Sequence, residues 1–531
     1  MRARTPLTRQ LRRIAGAHDA AYRTGVPVDE VLDGALDDGT ISRRAVLGGA
    51  LAGAAALTIG RRLPRAAAQD QPRIVIVGGG GAGVRCAHAL WDHGIRSTVY
   101  EAADRIGGRM WTLRGFFADD QIGEHGGGFV SSEHTHLRAL VNRFGLELED
   151  VDGGAQRGYP DTFFFDGARY SRADLLADWA AAYPAFQDAA RRAPWPQKWD
   201  HHTAAGAALD QVPVTDWVER NIPGGTESRF GKLMLTNVLS EYGGPLEQTS
   251  ALNLIYLLSD APRDDPFPLD GTDERWHVVG GNDLVVSHMV DELPGATIET
   301  GVHLLAACDA PTGRATKLTF ERGQHTFDVT ADLVVFALPF RVLRTLEVSG
   351  LTLSDRKRRA INTMGMGTNL KLHVQVAGSP WRANGRSGSS YSAPDRFEEA
   401  WDETVGQPGS HSISLGYLGG PAGVPRTGVD HGAAPAADVQ RFLAQMEPLF
   451  PGMTAAYRGR AYRDAWALDP WHHGAYSFYR LGQFTGFGGY EGVTEGTRFF
   501  CGEHTSFAFQ GYMEGAIRSG EHVADRIRDR L

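Results

Sequence analysis

The stretch Arg73-Ile-Val-Ile-Val-Gly-Gly-Gly-Gly-Ala-Gly83 is the strongest structural signal in this 531-residue chain. Ile74 to Val77 is a continuous apolar run, typical of a strand that is buried on both faces. Glycines begin where the strand should end. Gly78 permits a tight turn, Gly80 lets the backbone approach a pyrophosphate, and Gly83 lets the following helix pack against the strand. The stretch therefore predicts the first half of a dinucleotide-binding βαβ unit.

Such a unit also needs a carboxylate for the ribose hydroxyls of the dinucleotide. Ser97-Thr-Val-Tyr-Glu101 predicts the second strand, and Glu101 lies 18 residues after Gly83, near the usual spacing. The glycine motif alone is weak, because structural turns, nicotinamide proteins and flavin proteins share it. Because the strand, the glycines, the helix and the acidic residue follow one another at the expected spacing, a cofactor site is favoured over a structural turn.

Two glycine-containing stretches downstream favour a flavin over a nicotinamide. Arg105-Ile-Gly-Gly-Arg109 places two guanidinium groups and a flexible glycine pair where the phosphates should lie. Glu124-His-Gly-Gly-Gly-Phe129 adds a second place where the backbone can approach a ligand closely. A nicotinamide-binding fold needs neither stretch.

On these motifs the chain resembles the flavin-containing amine oxidase family, which includes monoamine, polyamine and L-amino-acid oxidases. The resemblance covers about residues 72 to 527, essentially the whole mature chain. Glu274 to Asp283, Ala331 to Leu343 and Gly502 to Glu521 match further family motifs in the family's order. Because several separated motifs agree, the resemblance is specific.

The resemblance implies the fold class α/β, with a Rossmann-like FAD-binding domain of the glutathione-reductase type assembled from separated segments. The second implied domain is a mixed α+β substrate domain, made of a helical insert and a β-sheet. After a leader of residues 1–68, the implied FAD-binding segments are 69–150, 270–335 and 490–531, and the implied substrate-binding segments are 151–269 and 336–489.

The family match also implies a role for individual residues around FAD. Glu101 and Arg109 would hold the ribose and the pyrophosphate, and the helix that begins near Met513 would stabilise negative charge on the reduced flavin. Ala103 stands where many members have an arginine beside the phosphates, which predicts weaker FAD binding. The implied cofactor-binding residues are Gly78, Gly80, Gly83, Glu101, Arg109, Gly126, Gly127, Gly128, Phe129, Val302, Gly502, Glu503 and Met513.

Amine oxidation by a flavin needs the substrate Cα–H bond aimed at N5, a neutral nitrogen and little water. By the resemblance, Tyr476 and Tyr512 sandwich the substrate nitrogen, and aromatic faces attract an amine. Lys371 would reach flavin N5 through a water and help the reduced flavin react with O2, and Trp466 would line the flavin pocket. From the residues alone, core packing of the tyrosines and Trp466 and a solvent-facing lysine are the alternatives.

The predicted reaction is oxidative deamination of an amine, with O2 as the acceptor giving H2O2, an aldehyde or ketone, and ammonia or a shorter amine. Ala475 stands where monoamine oxidases with a covalent flavin have a cysteine, so noncovalent FAD is expected. The alternatives are an L-amino-acid oxidase, a dehydrogenase that passes electrons to a quinone or cytochrome, and a flavin-binding protein without turnover. Glu241 and Asp283 are candidates for holding a distal ammonium group, but motif spacing does not place them.

An export signal is predicted near the amino terminus. Ser42-Arg-Arg-Ala-Val-Leu47 opens an apolar run that continues to Ile59, and Ala66-Ala-Ala68 offers a cleavage point. This order is typical of a twin-arginine signal. The run is short for a membrane span, which makes a retained tether the less favoured alternative. We therefore expect export by the Tat machinery to the periplasm, the cell envelope or the medium.

Charge and composition limit the partners. The net charge of −9 modestly favours a cationic substrate over nucleic acid. The sequence shows no His/Cys spacing typical of a metal site, so no metal is expected. The oligomeric state stays open, with a homodimer as one alternative.

Overall fold

The computed structural model describes residues 72–152, 158–261, 263–264, 272–295, 297–311, 313–394, 396–425 and 428–531. The predicted leader and its twin-arginine signal, residues 1–68, lie outside these ranges. Within them, none of the helices combines the length and the apolar character needed to cross a membrane.

The described strands are β1 (Ile74–Val77), β2 (Thr98–Tyr100), β3 (Thr112–Leu113), β4 (Gly123–Glu124), β5 (Leu148–Asp150), β6 (Thr162–Phe165), β7 (Ala168–Arg169), β8 (Trp276–Val278), β9 (Ile298–Glu299), β10 (His303–Asp309), β11 (Thr316–Arg322), β12 (His325–Ala331), β13 (Leu333–Phe336), β14 (Gly365–Met366), β15 (Leu370–Ala377), β16 (Ser390–Ser392), β17 (Glu399–Asp402), β18 (His411–Leu418), β19 (His431–Ala433), β20 (Tyr457–Ala465), β21 (Ser477–Phe478) and β22 (Arg498–Phe500).

The described helices are α1 (Gly81–Asp92), α2 (Thr135–Arg143), α3 (Arg172–Arg192), α4 (Ala204–Asp210), α5 (Val214–Asn221), α6 (Arg229–Tyr242), α7 (Ala251–Leu258), α8 (Leu284–Asp291), α9 (Phe340–Leu343), α10 (Asp355–Thr363), α11 (Pro380–Ala383), α12 (Ala436–Met446), α13 (Met453–Ala456), α14 (Gln483–Phe487) and α15 (Met513–Arg530).

A parallel sheet with strand order β22-β13-β1-β2-β9 carries the predicted βαβ unit. β1 is buried at every position, as its continuous apolar sequence predicts. Gly78 has φ +106, the left-handed conformation that its turn requires. Helices α1 and α15 cross closely, because a Cβ on Gly520 would lie only 2.2 Å from the carbonyl oxygen of Ala82. The α/β fold class is thereby confirmed.

The strands of this sheet come from distant parts of the chain, between Ile74 in β1 and Phe500 in β22. An antiparallel sheet of β10, β11 and β12 precedes β13 in the chain. The FAD-binding domain is therefore assembled from separated segments. The exact domain boundaries stay a prediction.

A second, larger sheet has the order β19-β20-β15-β18-β17-β16-β6-β7 in the described chain. Its central strand β15 is buried on both faces. Leu372 and Val374 pack on one face into a core shared with α12. The alternate residues Lys371 and His373 point to the other face, as the two-residue period of a strand requires. This second face forms part of the wall of the site.

Candidate active site

A cavity of about 630 Å³ opens at the carboxyl ends of the parallel strands. Each strand of that sheet delivers lining residues just beyond its last residue: Gly78 after β1, Glu101 after β2, Val302 after β9, Ala337 after β13 and Gly502 after β22. Ligands of open α/β sheets bind at this edge. The cavity therefore lies where the glycine motif predicts a cofactor.

Glycines let the backbone close tightly around this cavity. A Cβ on Gly83 would lie 1.9 Å from the oxygen of Gly78, and one on Gly126 would lie 1.9 Å from the oxygen of Arg109. A Cβ on Gly127 would meet the sulfur of Met513 at 2.7 Å. Gly83 is not among the described lining residues; its close contact with Gly78 packs α1 against the strand, and its place among the cofactor-binding residues stays a prediction. The amino termini of α1 and α15 both reach the cavity, and helix amino termini favour negative charge.

Glu101 is held in place at the end of β2 by two backbone N–H groups. Gly79 N donates to Oε2 at 2.6 Å and Ala103 N donates to Oε1 at 2.8 Å. Burial raises the pKa of the carboxyl group, which these donors partly offset. Val302 N donates to the backbone oxygen of Glu101 at 2.8 Å, so both residues occupy the same corner of the cavity. This corner offers the acceptor and the backbone edge that a ribose and an adenine need.

Arg109 contacts Glu503 in the cavity wall. Its Nη1 donates to Glu503 Oε1 at 2.9 Å and to the oxygen of Ala475 at 2.5 Å. Burial alone would raise the pKa of Glu503, but the guanidinium of Arg109 holds it below its usual value. Arg105 is not among the described lining residues, and its guanidinium lies 3.9 Å from the centre of the Trp111 ring. Its Nη1 donates to the oxygen of the lining residue Gly108 at 2.7 Å, so a role of Arg105 near the phosphates stays a prediction.

The predicted aromatic pair lies in the same cavity. Tyr476 and Tyr512 both line it. The Tyr476 hydroxyl donates to the oxygen of Ser240 at 2.6 Å and lies 2.8 Å from the hydroxyl of Tyr417. The Tyr512 hydroxyl donates to Glu241 Oε1 at 2.7 Å. These bonds fix both rings at the cavity, and their role in substrate binding stays a prediction.

Lys371 is buried in β15, with 6% of its surface exposed, so a solvent-facing lysine is wrong. Its Nζ donates to the backbone oxygens of Glu124 at 2.9 Å and Gly126 at 2.7 Å, and it lines the cavity. Trp466 lines it too, and its Nε1 donates to the oxygen of His125 at 2.8 Å. Lys371 thus supplies a buried ammonium beside the predicted flavin position.

The sequence matches the family model for flavin-containing amine oxidoreductases over residues 82–528. The chain belongs to this family. It therefore catalyses FAD-dependent oxidation of an amine, and the cavity with its glycine-rich wall, Glu101 and two helix amino termini fits FAD.

Two curated relatives of this amine oxidoreductase match along most of its length. Pseudooxynicotine dehydrogenase from a Pseudomonas species is 25% identical and covers 92% of this chain and 96% of the relative. Putrescine oxidase from Kocuria rosea is 26% identical and covers 86% of this chain and 94% of the relative. The structure of cyclohexylamine oxidase from Brevibacterium oxydans IH-35A superposes with a TM-score of 0.73 at 23% identity, covering 87% of this chain and 99% of that one. That structural likeness shows a shared fold.

Besides Glu101, Glu274 and Glu503, two carboxylates that the motifs do not place line the cavity of the amine oxidoreductase. Glu241 lines it at the carboxyl end of α6, whereas Asp283 is bound to Arg114 at 2.7 Å and is not among the described lining residues. The second carboxylate is Glu399, in β17, which sequence reasoning missed. Glu399 stands beside another glutamate, and only the strand register distinguishes the inward one.

A buried cluster of histidines and acids, here called the Asp464 cluster, was also missed. Asp464 Oδ1 lies 2.6 Å from Nδ1 of both His125 and His431, and Oδ2 lies 3.0 Å from His373 Nε2. The other members are Glu403, which lies 2.5 Å from His373, Asp469, which lies 3.1 Å from His431, and His472, which lies 2.9 Å from Asp469. His125 and His472 also line the cavity, so the cluster forms part of its wall.

His373 and His431 each have a carboxylate on both ring nitrogens, and only an imidazolium can donate from both. Burial alone would lower the pKa of His373, but Glu403 and Asp464 raise it to about 9. Burial would also lower the pKa of His431, but Asp464 and Asp469 raise it to about 9. Imidazolium groups cannot ligate a metal, so these contacts describe an ion-pair cluster.

A pH dependence of stability follows from these two histidines. The protonated histidines contribute fully to the free energy of unfolding below the ordinary histidine pKa of about 6.5. This contribution is lost as the pH rises through their raised pKa in the folded protein. We therefore expect the thermal midpoint of the FAD-saturated protein to fall between about pH 7 and pH 10. Differential scanning calorimetry across this range measures it. A midpoint that stays level or rises through the range would contradict the imidazolium assignment.

Proposed function

We propose that this enzyme oxidises an amine with O2 as the electron acceptor, releasing H2O2, a carbonyl compound and ammonia or a shorter amine. When bound, the flavin takes up the hydrogen and the two electrons from the carbon beside the substrate nitrogen. Water then hydrolyses the resulting imine. Tyr476 and Tyr512 orient the nitrogen, and the other aromatic rings that line the cavity limit the water beside it.

The observation that carries this proposal is the buried ammonium of Lys371 in the same cavity as the two tyrosines. A fixed positive charge in a poorly solvated site stabilises the negative charge that O2 acquires on reduction. It supports an oxidase over a dehydrogenase that serves a quinone or cytochrome. One relative is named a dehydrogenase, so that alternative is an outcome of the test.

An amino-acid substrate is less well supported than a plain amine. Its carboxylate needs a cationic partner, and Arg109, the arginine among the described lining residues, is already paired with Glu503. Glu241 and Glu399 line the cavity and would repel a carboxylate. The segment Gly128-Phe-Val-Ser131 contains no arginine. We therefore place L-amino-acid oxidation second.

Anaerobic stopped-flow spectroscopy tests the proposal. The purified FAD-loaded protein is mixed with monoamines, diamines, polyamines and L-amino acids, and bleaching of the flavin is followed. The reduced protein is then mixed with O2, and H2O2 is assayed. Bleaching by amines followed by fast reoxidation with peroxide release is expected. Bleaching with slow reoxidation would instead identify a dehydrogenase, and bleaching by amino acids alone would identify an amino-acid oxidase.

FAD is proposed to be bound without a covalent link. Ala475 lines the cavity and brings no thiol, and the three cysteines, Cys86, Cys308 and Cys501, are not among the described lining residues. Denaturing the protein with acid should therefore release the yellow chromophore, which then passes through an ultrafiltration membrane that retains the polypeptide. A chromophore that stays with the polypeptide contradicts this prediction.

We also propose export by the Tat machinery, with cleavage near Ala68 and a final location in the periplasm, the cell envelope or the medium. The support is the order of Arg43-Arg44, the apolar run and the small residues at 66–68. This route carries folded proteins, which suits an enzyme that acquires its cofactor before export. Arg43→Lys with Arg44→Lys should abolish export, measured by cell fractionation; unchanged export would overturn the proposal.

A further inference from the structure

The wall of the cavity formed by the larger sheet presents one carboxylate among aromatic rings. Glu399 in β17 stands directly opposite Tyr391 in β16 and Tyr417 in β18. Side chains at paired positions share a face, as do residues two apart on one strand, so Trp401 joins them. All four line the cavity. Glu399 is thus aimed at the ligand space by strand register.

This carboxylate has a hydrogen-bond donor but no ion-pair partner in the part of the chain that the structure describes. The Ser240 hydroxyl donates to Glu399 Oε2. Within the described ranges, no lysine, arginine or histidine lies within ion-pair distance of it, whereas the cavity carboxylate Glu503 has Arg109. Burial raises the pKa of Glu399 above its usual value. A buried carboxylate that faces a ligand cavity without a counter-ion is stabilised when a cation binds beside it.

Hydrogen bonds connect this carboxylate to the aromatic pair. Ser240 accepts the hydroxyl of Tyr476 at its backbone oxygen and donates its own hydroxyl to Glu399. The Tyr476 hydroxyl and the Glu399 carboxylate therefore hydrogen-bond to the same residue, Ser240, so a ligand that contacts both spans only a short distance.

The space between the two positions suits a chain with a charged end. The Phe129 and Trp401 rings lie 5.7 Å apart, and the Trp401 and Tyr417 rings lie 5.5 Å apart, forming a continuous aromatic wall. Such a wall packs methylene groups and attracts cations. Ser240 also belongs to the last turn of α6, whose carboxyl end favours positive charge.

We propose that Glu399 binds a protonated distal nitrogen, and that the preferred substrates are amines with a second basic nitrogen. One nitrogen lies between Tyr476 and Tyr512 and is oxidised, while the other pairs with Glu399. This inference rests on the proposed function for its reacting end. It assigns the substrate class that the family membership leaves open.

The test compares α,ω-diamines of increasing length with monoamines of the same length, in the wild type and in Glu399→Gln. Glutamine keeps the size and a hydrogen-bond acceptor but loses the charge. We expect kcat/KM for diamines to fall about tenfold to hundredfold, as for loss of a substrate-binding ion pair, with monoamines nearly unchanged. Equal effects on both series, or no effect, would overturn the proposal.

Two matched variants complete the kinetic design. Glu347→Gln removes an exposed carboxylate outside the described cavity lining and should leave the diamine preference intact. Glu241→Gln removes another carboxylate that lines the cavity near the aromatic pair. If Glu241→Gln abolishes the diamine preference and Glu399→Gln does not, the distal site is Glu241 and the assignment is wrong.

A binding measurement separates this inference from the proposed reaction. 2,5-Dimethylhexane-2,5-diamine carries no hydrogen on its amino carbons and cannot be oxidised there. Titrated against the flavin spectrum of the FAD-loaded protein, it should bind at least about tenfold more weakly to Glu399→Gln than to the wild type. Equal affinity overturns the distal site. Failure of every amine to bleach the flavin, with this binding difference intact, would instead overturn the proposed function.

Discussion

Lys371→Met is expected to leave anaerobic bleaching by amines largely intact and to slow the reaction of the reduced enzyme with O2 by about hundredfold. Methionine nearly matches the length of lysine but carries no charge, so the variant removes the ammonium that is proposed to stabilise reduced oxygen species. In the proposed function the amine half-reaction depends on orientation by Tyr476 and Tyr512, which the variant leaves in place. Stopped-flow spectroscopy measures the two half-reactions separately.

Lys357→Met is the matched control for this variant. Lys357 is also fully buried, and its Nζ donates to the backbone oxygens of Tyr490 and Glu491, but it is not among the described cavity-lining residues. Both substitutions leave two buried carbonyl groups without a donor, which costs about 1–3 kcal/mol for each. Only Lys371→Met should change the reaction with O2. Equal losses in both half-reactions of Lys371→Met, at full FAD content, would contradict the assigned role.

Asp464→Asn is expected to lower the free energy of unfolding by about 3–5 kcal/mol, because it leaves buried imidazolium groups without their shared counter-ion. Asp464 is fully buried and accepts from three histidines, so no solvent is available to replace it. The variant should also flatten the pH dependence of the thermal midpoint above pH 7. Since His125 and His472 line the cavity, weaker FAD retention should accompany the loss.

Asp328→Asn provides the comparison for Asp464→Asn. Asp328 pairs with Lys317 at 2.9 Å on the exposed surface of the β11–β12 hairpin. Exposed ion pairs contribute little to stability, because water and salt screen them, so the thermal midpoint of Asp328→Asn should hardly change. Calorimetry of both variants with saturating FAD measures the difference. If the two midpoints fall equally, the Asp464 cluster contributes no more than a surface ion pair.

The cofactor half of the site was largely predictable from the sequence. Gly78, Glu101 and Val302 follow strands in contiguous patterns, and the structure places each at the carboxyl edge of the parallel sheet. The stacking of the Arg105 guanidinium on Trp111 could not be foreseen, because the motif does not encode that contact. Lys371 was expected to point inward, and β15 proved to be buried on both faces.

The substrate half was much less predictable. Glu399 faces the cavity because β16, β17 and β18 pair in one particular register, and a shift of one residue would turn it away. Asp283 was a candidate for a distal ammonium group, but the fold gives it Arg114 instead. Motif spacing contains no information about either outcome.

The sequence alone therefore determined the βαβ unit, the cofactor class and the family, because each depends on residues close together along the chain. The Asp464 cluster and the distal carboxylate depend on long-range strand pairing. His125, His373 and Asp464 lie on separate segments and meet only when the larger sheet packs against the residues around Gly126. Burial then strengthens the electrostatic interactions between these charged groups. Both the pairing and the loss of solvent arise only in the folded chain, so no local sequence pattern encodes them.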